Sequence, residues 1–460
     1  MYIKRLGEKF LREWLERGHR KPLIIRGARQ TGKSRLVEQF GKEEFEHTAV
    51  INFEKEPQFK TFFEKASDVK KLVSEIEVIK NIPIIPGKTL LFIDEIQQCP
   101  EAITKLRYFY EDLPELHVIA AGSLLEFVLE SELVSFPVGR VEFYYLFPLC
   151  YREYLEGCGE TKLIEYLDSV GPRQKIEPLI HQKLRELLKE YMLVGGMPEA
   201  CAQFLTTRRY KDVEPVWESI IQTYRDDFKK YSKRGNTDNI EFAFTEAPHA
   251  VGQEINLTKF GQGAIRPREV KVALRLLERA MIIHNVHQIK HSSFPLAPLF
   301  GKRNKLVFLD IGLVQYINHI SAEILESEDY SAVYKGGIAE QLVGQELLPL
   351  TGSTRHPELY YWHKDRTRGT AEVDYIYPHA DHILPIEVKA GKGGSLASLH
   401  QFMFEYKKPL ALRIYDGELN YETIDVALPQ SGRAQYPLLS VPLYLIYRLP
   451  ELVLGCPGPS

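Results

Sequence analysis

The sequence predicts an α/β multidomain protein, and three stretches carry that prediction. An apolar run, Leu23-Ile24-Ile25, leads through Gly27-Ala28-Arg29-Gln30-Thr31-Gly32-Lys33-Ser34 into a helix-forming segment. A second run, Thr89-Leu90-Leu91-Phe92-Ile93, ends in Asp94-Glu95, as a buried parallel strand does when it delivers carboxylates to the edge of an α/β sheet. Far downstream, strand-like segments carry Asp374 and then Glu387-Val388-Lys389. At 460 residues the chain has room for about three domains of ordinary size.

Composition narrows the class without settling the partner. A net charge of −3 excludes a uniformly basic nucleic-acid coat but leaves local basic surfaces open. The five cysteines, Cys99, Cys150, Cys158, Cys201 and Cys456, are odd in number and form no C-x-x-C pair. They suggest neither a zinc site nor a disulfide framework and fit a reducing cytosol, so a cytoplasmic location is expected. Met1 to Gly18 reads as an amphipathic helix and not a signal peptide, and no apolar stretch has the length of a bilayer span, so no membrane partner is expected.

The glycine-containing stretch reads as a phosphate-binding loop. Gly27 and Gly32 let the chain curl so that successive N–H groups point inward, and the helix that begins near Lys33 adds its positive end. Gly27, Ala28, Arg29, Gln30, Thr31, Gly32, Lys33, Ser34 and the adjoining Arg35 are the candidate nucleotide-binding residues. Lys33 would reach the β- and γ-phosphates of ATP, and the Ser34 hydroxyl would ligate Mg²⁺. A helix over Ser34–Phe40 and a strand over Ala49–Phe53 follow. Asp94 would hold Mg²⁺ through its water shell, and Glu95 would orient or deprotonate the attacking water. The alternative for this pair is a strand-to-helix cap.

After a helix over Ile103–Glu111, the apolar run Leu116–Ala121 ends in Gly122-Ser123. Strands alternating with helices give a doubly wound, mostly parallel sheet. Ser123 would then sit beside the nucleotide and sense the γ-phosphate, or else form a Gly-Ser turn capping a helix over 124–129. Arg140, in the Gly-containing stretch Pro137-Val138-Gly139-Arg140-Val141, is a candidate trigger or finger, in cis or from a neighbouring subunit, with a solvated charge as the alternative.

Four segments together, Gly27–Ser34, Phe92-Ile93-Asp94-Glu95-Ile96-Gln97, Ala121-Gly122-Ser123 with the Leu-Leu-Glu that follows, and Pro137–Val141, resemble the prokaryotic AAA-type P-loop ATPases that carry a C-terminal domain of unknown function. Tyr191-Met192-Leu193-Val194-Gly195-Gly196-Met197-Pro198-Glu199 matches a further motif of that family. The resemblance implies an AAA-type ATPase core at 1–150 and a helical lid at 151–207, with ATP and Mg²⁺ as cofactors.

In the middle, 208–320, a charged helical stretch ends in Lys233-Arg234-Gly235. A short helix over Ile255–Phe260, a turn, and a Pro-started helix over Arg266–Ala280 follow helix-turn-helix order. Strands at Met281–Val286 and Lys305–Asp310 would supply a wing. In such winged-helix modules the second helix enters the major groove, so Arg266, Arg268, Lys271 and Arg275 are candidate DNA contacts, with an inert spacer or a protein contact as the alternative.

In 321–460, a helix over 336–348 places Glu340 early, and strands carry Tyr360–His363, Val373–Tyr377 and Ile383–Val388. Residues two apart in a strand point the same way. Asp374 and Glu387 would ligate Mg²⁺ with the Val388 carbonyl, Lys389 would place the attacking water, and Glu340 could reach the metal from its helix. The alternative is a polar strand face with an internal Glu387–Lys389 salt bridge. Arg366, Arg368, Lys389 and Lys392 would form a local basic surface, and a helix over Ser395–Tyr406 and a strand over Leu410–Tyr415 would complete the domain.

The order Glu, Asp, Glu-x-Lys resembles the PD-(D/E)xK nuclease superfamily, although Val373 stands where that pattern has Pro. The whole reading is an ATP-binding and ATP-hydrolysing protein that binds DNA, with branched DNA as one candidate, and that carries a metal-dependent nuclease-like site. A nucleotide-dependent switch or scaffold whose C-terminal fold binds a partner without cleavage is the alternative, and a homo-oligomer is an open option.

Overall fold

The computed structural model describes residues 1–66, 68–123, 125–129, 137, 139–231, 237–299, 303–319, 337–366, 369–391, 393–428 and 432–457. These pack as two compact units. The first comprises Met1–Pro148 with Arg279–Met281 and Gly352–His356, and the second takes the rest from Leu149 onward.

The first unit is built on five parallel strands: β1 (Leu23–Arg26), β2 (His47–Asn52), β3 (Thr89–Asp94), β4 (His117–Gly122) and β5 (Glu142–Tyr145). Their order across the sheet is β2-β3-β4-β1-β5. β1, β3 and β4 are short, mostly apolar, buried runs, β2 is a half-buried edge strand, and alternate residues feed opposite faces. Ile24, Ala49, Ile51, Leu91, Ile93, Val118 and Ala120 join one core, under the helices Gln58–Lys65, Val69–Lys80 and Pro100–Asp112. Leu23, Ile25, Leu90, Phe92, Ile119 and Ala121 join the other, with Leu11 and Trp14 of the helix Gly7–Leu15 and Leu36, Val37 and Phe40 of the helix Lys33–Glu44. Because β4 is inserted between β1 and β3, the carboxyl ends of these three strands lie side by side.

The second unit contains a mixed eight-stranded sheet. Its strands are β6 (Ile283–Gln288), β7 (Lys305–Phe308), β8 (Leu359–Arg366), β9 (Gly369–His379), β10 (His382–Lys389), β11 (Ala411–Tyr415), β12 (Asn420–Leu428) and β13 (Gly432–Pro442), in the order β12-β13-β11-β10-β9-β8-β6-β7. β6 and β7 form the antiparallel pair expected of a wing, but β6 also pairs in parallel with β8, Val286 to Leu359 and Gln288 to Tyr361. The sheet therefore runs across the expected boundary at 320, and the winged-helix-like and nuclease-like segments share one unit. The segment 151–207, expected as a lid on the ATPase core, packs in this unit as well.

Two further expectations change. Ile255–Phe260 is a turn and not an α-helix: Asn256 Oδ1 accepts from Thr258 N and Oγ1, and the α-helix that precedes Pro267–Arg279 is Thr237–Glu246. Such local side-chain bonds compete with helix formation. On Pro267–Arg279, Val270, Ala273, Leu274 and Leu277 are buried, while Arg266 just before it and Arg268, Lys271 and Arg275 along it are exposed. Finally, β12 and β13 add an antiparallel pair beyond the expected last strand. Lys233, Arg234, Gly235, Gly336, Arg368, Lys392, Leu124, Val138 and the side chain of Arg366 lie outside the described residues.

The Gly195-Gly196 motif is explained inside the second unit. The carboxylate of Asp310 accepts from Gly196 N and from Leu313 N, at 3.1 Å for the latter, where it caps the helix Ile311–Ile317. A Cβ at position 195 would fall 2.1 Å from Asp310 Oδ1, so only glycine admits this approach. The helix Ile338–Leu347 continues the network. Gln341 pairs with both N and O of Phe308, Gln345 accepts from Ile311 N, and Glu346 accepts from Tyr151 N and Tyr191 Oη.

Candidate nucleotide site and carboxylate cluster

The chain leaves β1 at Arg26 and re-enters regular structure at Lys33. Gly32 makes the turn possible with φ 90° and ψ 21°, directly before the first helical residue. Thr31 donates from Oγ1 to Ala28 O at 3.0 Å. The buried Arg5 holds the same loop, donating to Thr31 O at 2.9 Å and Phe147 O at 2.7 Å.

Lys33 folds onto the loop, its ammonium donating to Gly27 O at 3.0 Å and Ala28 O at 2.7 Å. Burial against carbonyls pulls its pKa down to about 8, against the opposing pull of Glu95 and Asp94. Ser34 Oγ donates to Asp94 Oδ2 at 2.8 Å, and Asn52 Nδ2, at the end of β2, donates to the same oxygen at 2.9 Å. A hydroxyl and a carboxylate brought together in this way are the hard oxygens that suit Mg²⁺. Arg29 lies 3.5 Å from Glu54, and Arg35 is exposed beside Glu38.

Glu95 follows Asp94 with φ 53°, a left-handed conformation that costs a non-glycine residue about 1–3 kcal/mol. Its carboxylate accepts from Gln97 Nε2, and burial raises its pKa. Ser123 follows the last residue of β4, and its buried Oγ has no partner among the described residues. It stands between the loop after β1 and the carboxylates after β3. Arg140 is placed differently. It precedes β5, at the amino edge of the parallel sheet, opposite the loop, and pairs with Glu111 at 3.0 Å. A trigger role for Arg140 on the nucleotide of its own chain is therefore corrected: within the chain it is a half-exposed charge in an ion pair.

The second candidate site lies wholly in the second unit. β9 carries one extra residue against β8 at Asp374-Tyr375, since Tyr360 pairs with Ile376 and Trp362 with Val373. Bulges of this kind re-aim side chains. Asp374 Oδ2 accepts from Val388 N at 2.7 Å, and Lys389 Nζ donates to Glu387 Oε1 at 2.7 Å, so the internal salt bridge weighed from sequence is present. Glu340 is brought to the same cluster, through Lys305 of β7. The Lys305 ammonium meets Glu340 Oε2 at 2.8 Å, Glu372 Oε1, and Asp374 Oδ1 at 3.7 Å.

Burial, reinforced by the charge of Asp374, raises Glu340 to about 8 and Glu387 to about 7; burial also raises Asp374. Burial works against the charge of Lys305, but Glu340, Asp374 and Glu372 outweigh it and hold the ammonium above its ordinary pKa. Four carboxylates here face two ammonium groups, and Glu387 Oε2 is buried with no partner among the described residues. An unshared buried carboxylate oxygen and an excess of carboxyl groups over ammonium groups fit a divalent cation.

Sequence reading missed Arg5, Asn52, Gln97, Lys305 and Glu372. Glu372 had a signal, being two residues before Asp374 on the same strand. Lys305 had almost none, because nothing local links β7 to a cluster 35 to 84 residues further on.

The loop, the Ser34–Asp94 bond and the parallel sheet order define the first unit as a P-loop domain of the α/β class. More narrowly, residues 19–155 match the family described as an AAA domain, which supports a P-loop AAA-type ATPase unit. Residues 185–324 and 335–431 match two domains of unknown function, DUF8612 and DUF4143. No protein of curated function matches the sequence.

Among solved structures, the chain is similar to a signal transduction ATPase with numerous domains from Pyrococcus horikoshii, which has a tetratricopeptide repeat sensor. The identity is 14% and the TM-score 0.27, over 74% of this chain and 45% of that one. The Thermotoga maritima RuvB Holliday junction branch migration motor gives 14% and 0.29, over 62% of this chain and 90% of that one. The Aeropyrum pernix ORC1 protein in complex with DNA gives 12% and 0.27, over 69% and 93%. The chain spans less than two thirds of the Pyrococcus protein and of the similarly matched C. elegans PCH-2, where the share is 58%. Among the described residues no helix is long and apolar enough to cross a membrane.

Proposed function

We propose that the chain is an ATP-hydrolysing, DNA-binding protein in which the first unit turns over Mg²⁺-bound ATP and the second holds DNA beside a nuclease-like centre. The observation that carries the first half is the convergence of Lys33, Ser34 and Asp94 at the carboxyl edge of β1 and β3. Lys33 releases the loop carbonyls and donates to phosphate oxygens, whose charge restores its proton affinity. Ser34 and Asp94 would hold Mg²⁺, which would neutralise charge on the transferring phosphoryl group. Asn52 keeps the Asp94 carboxylate oriented. Glu95, fixed by Gln97 and raised by burial, accepts a proton from the attacking water. Ser123 has an unshared hydroxyl with which to sense the γ-phosphate.

DNA contact is supported by the exposed Arg266, Arg268, Lys271 and Arg275 at and along the helix Pro267–Arg279. A divalent metal at the cluster would be held by Asp374 and Glu387 and would supply Lewis-acid chemistry for phosphodiester hydrolysis. Lys389 would then place water. A second reading, a nucleotide-dependent switch whose C-terminal fold binds without cutting, is favoured by the Glu387–Lys389 bridge, which occupies the lysine needed for that chemistry.

The test is phosphate release with and without DNA. Lys33→Ala is expected to abolish turnover, and undiminished turnover would refute the ATPase assignment. DNA of several shapes is expected to bind in a salt-dependent way, more weakly after Arg268→Ala with Lys271→Ala. Mn²⁺-dependent cleavage that disappears in Lys389→Ala supports the nuclease reading; binding without cleavage supports the switch.

A further inference from the structure

Lys305 is an unusual member of the carboxylate cluster. It opens β7, on the outermost pair of the sheet, yet its side chain is only 3% exposed. The ammonium lies 5.4 Å from the centre of the Tyr361 ring and meets one oxygen each from Glu340, Glu372 and Asp374. An ammonium has three N–H donors, and three carboxylates surround this one. Tyr361 is itself fixed, because its hydroxyl donates its one proton to Arg303 O at 2.7 Å, with Glu254 Oε1 3.0 Å away. Glu340 is anchored at its backbone by Tyr375, which donates to Glu340 O at 2.8 Å.

Glu387 is served otherwise. Lys389 takes Oε1, while Oε2 is buried without a partner among the described residues, and the residue is 6% exposed. The cluster thus has two kinds of cation position. One, framed by Glu340, Glu372 and Asp374, is filled by a side chain of the protein. The other, at the Asp374–Glu387 side, offers an oxygen that nothing shares.

We propose that Lys305 is a built-in cation that fills one of two cation positions in this centre, so that the cluster accepts a single divalent ion, on Asp374 and Glu387. Glu340 and Glu372 serve the lysine and are not metal ligands. This rests on the metal reading of Asp374 and Glu387, which the same experiment tests separately. A divalent ion needs carboxylate oxygens at about 2.0–2.6 Å, so it and the ammonium cannot occupy the same position. Removing the lysine would leave three carboxylates round a space that a hard cation fits.

The experiment counts Mn²⁺ bound by the nucleotide-free full chain, from the loss of the free-ion electron paramagnetic resonance signal. The wild-type chain is expected to hold one equivalent that vanishes in Glu387→Gln and persists in Glu340→Gln. Lys305→Met is expected to hold two. The neighbouring triad Glu254, His363 and Glu372, whose ligand atoms lie within 4.8 Å of one another, is controlled by His363→Ala, which should leave both counts unchanged. If the wild-type chain holds no Glu387-dependent ion, the metal reading itself fails. If it holds one and Lys305→Met still holds one, or if the added ion is lost with His363→Ala, the role of Lys305 is overturned.

Should Lys305→Met fold poorly, its melting supplies the second readout. Saturating Mn²⁺ is expected to raise its Tm by more than it raises that of the wild-type chain. An equal or smaller rise would overturn the proposal.

Discussion

Two buried lysines separate the two sites. Lys33 is enclosed by backbone carbonyls, and burial brings its pKa down to about 8; Lys305 is enclosed by carboxylates and is held above the ordinary value. An ammonium surrounded by neutral dipoles is under-compensated and gains from an arriving anion. One surrounded by carboxylates already has its counter-charges, and its removal strands them. On the proposed reading the first arrangement receives phosphate, whereas the second holds a cluster together and limits what else can enter it.

The contrast can be broken most decisively at catalysis. Glu95→Gln is expected to lower ATP turnover by about 10²-fold or more while leaving the affinity for an ATP analogue within a few-fold, by analogy with loss of a general base. Equal loss of binding and turnover would show that Glu95 serves the fold instead. The next effect is on stability. Lys305→Met is expected to cost about 3–5 kcal/mol in a urea melt of the metal-free chain, as when one partner of a buried ion pair is removed. Lys33→Met should cost little or nothing in the absence of nucleotide, and an equal loss from both would erase the distinction.

A third measurement follows the proton on Lys33. Its folded pKa lies below its unfolded value, so the cost of burying the ammonium is present below about pH 8 and is relieved as pH rises from there towards 10.5. Bound phosphates favour the charged form, so nucleotide binding should take up a proton above pH 8. Affinity should then weaken there by at most about tenfold per pH unit. Titrations from pH 7 to 9.5 would show this, and Lys33→Arg should flatten the profile.

The smallest effect concerns Glu346, a buried carboxyl given hydrogen-bond donors but, among the described residues, no cation. Burial raises it to about 7. Stability linked to it is present below its unfolded pKa and falls as pH rises through about 7. Glu346→Gln should raise Tm at pH 8 by about 2–4 °C, roughly 1 kcal/mol, and change little at pH 4.

The legibility of the two sites differed for the same structural reason as their chemistry. The loop from Gly27 to Ser34 is contiguous, and its function depends on backbone N–H groups that a short sequence can position, so its residues could be read in a row. Asp94 and Glu95 were legible because an apolar strand ends in them. Asn52 was not, since it reaches Asp94 only because β2 lies beside β3. In the second unit Asp374, Glu387 and Lys389 stood out by strand periodicity, but the bulge at Asp374-Tyr375 and the arrival of Lys305 depend on which strands become neighbours.

Sequence alone determined the P-loop and its strand partners, the basic helix Pro267–Arg279 and the existence of a carboxylate–lysine group near the C-terminus. These rest on local propensity, periodicity and backbone chemistry over a few residues. Only the tertiary structure decided that the sheet runs from β7 to β12 across the expected domain boundary, that Arg140 sits at the edge opposite its own loop, and that Lys305 enters the carboxylate cluster. Strand order and charge pairing across long sequence separations are set by how faces pack together, and no local pattern in the chain encodes them.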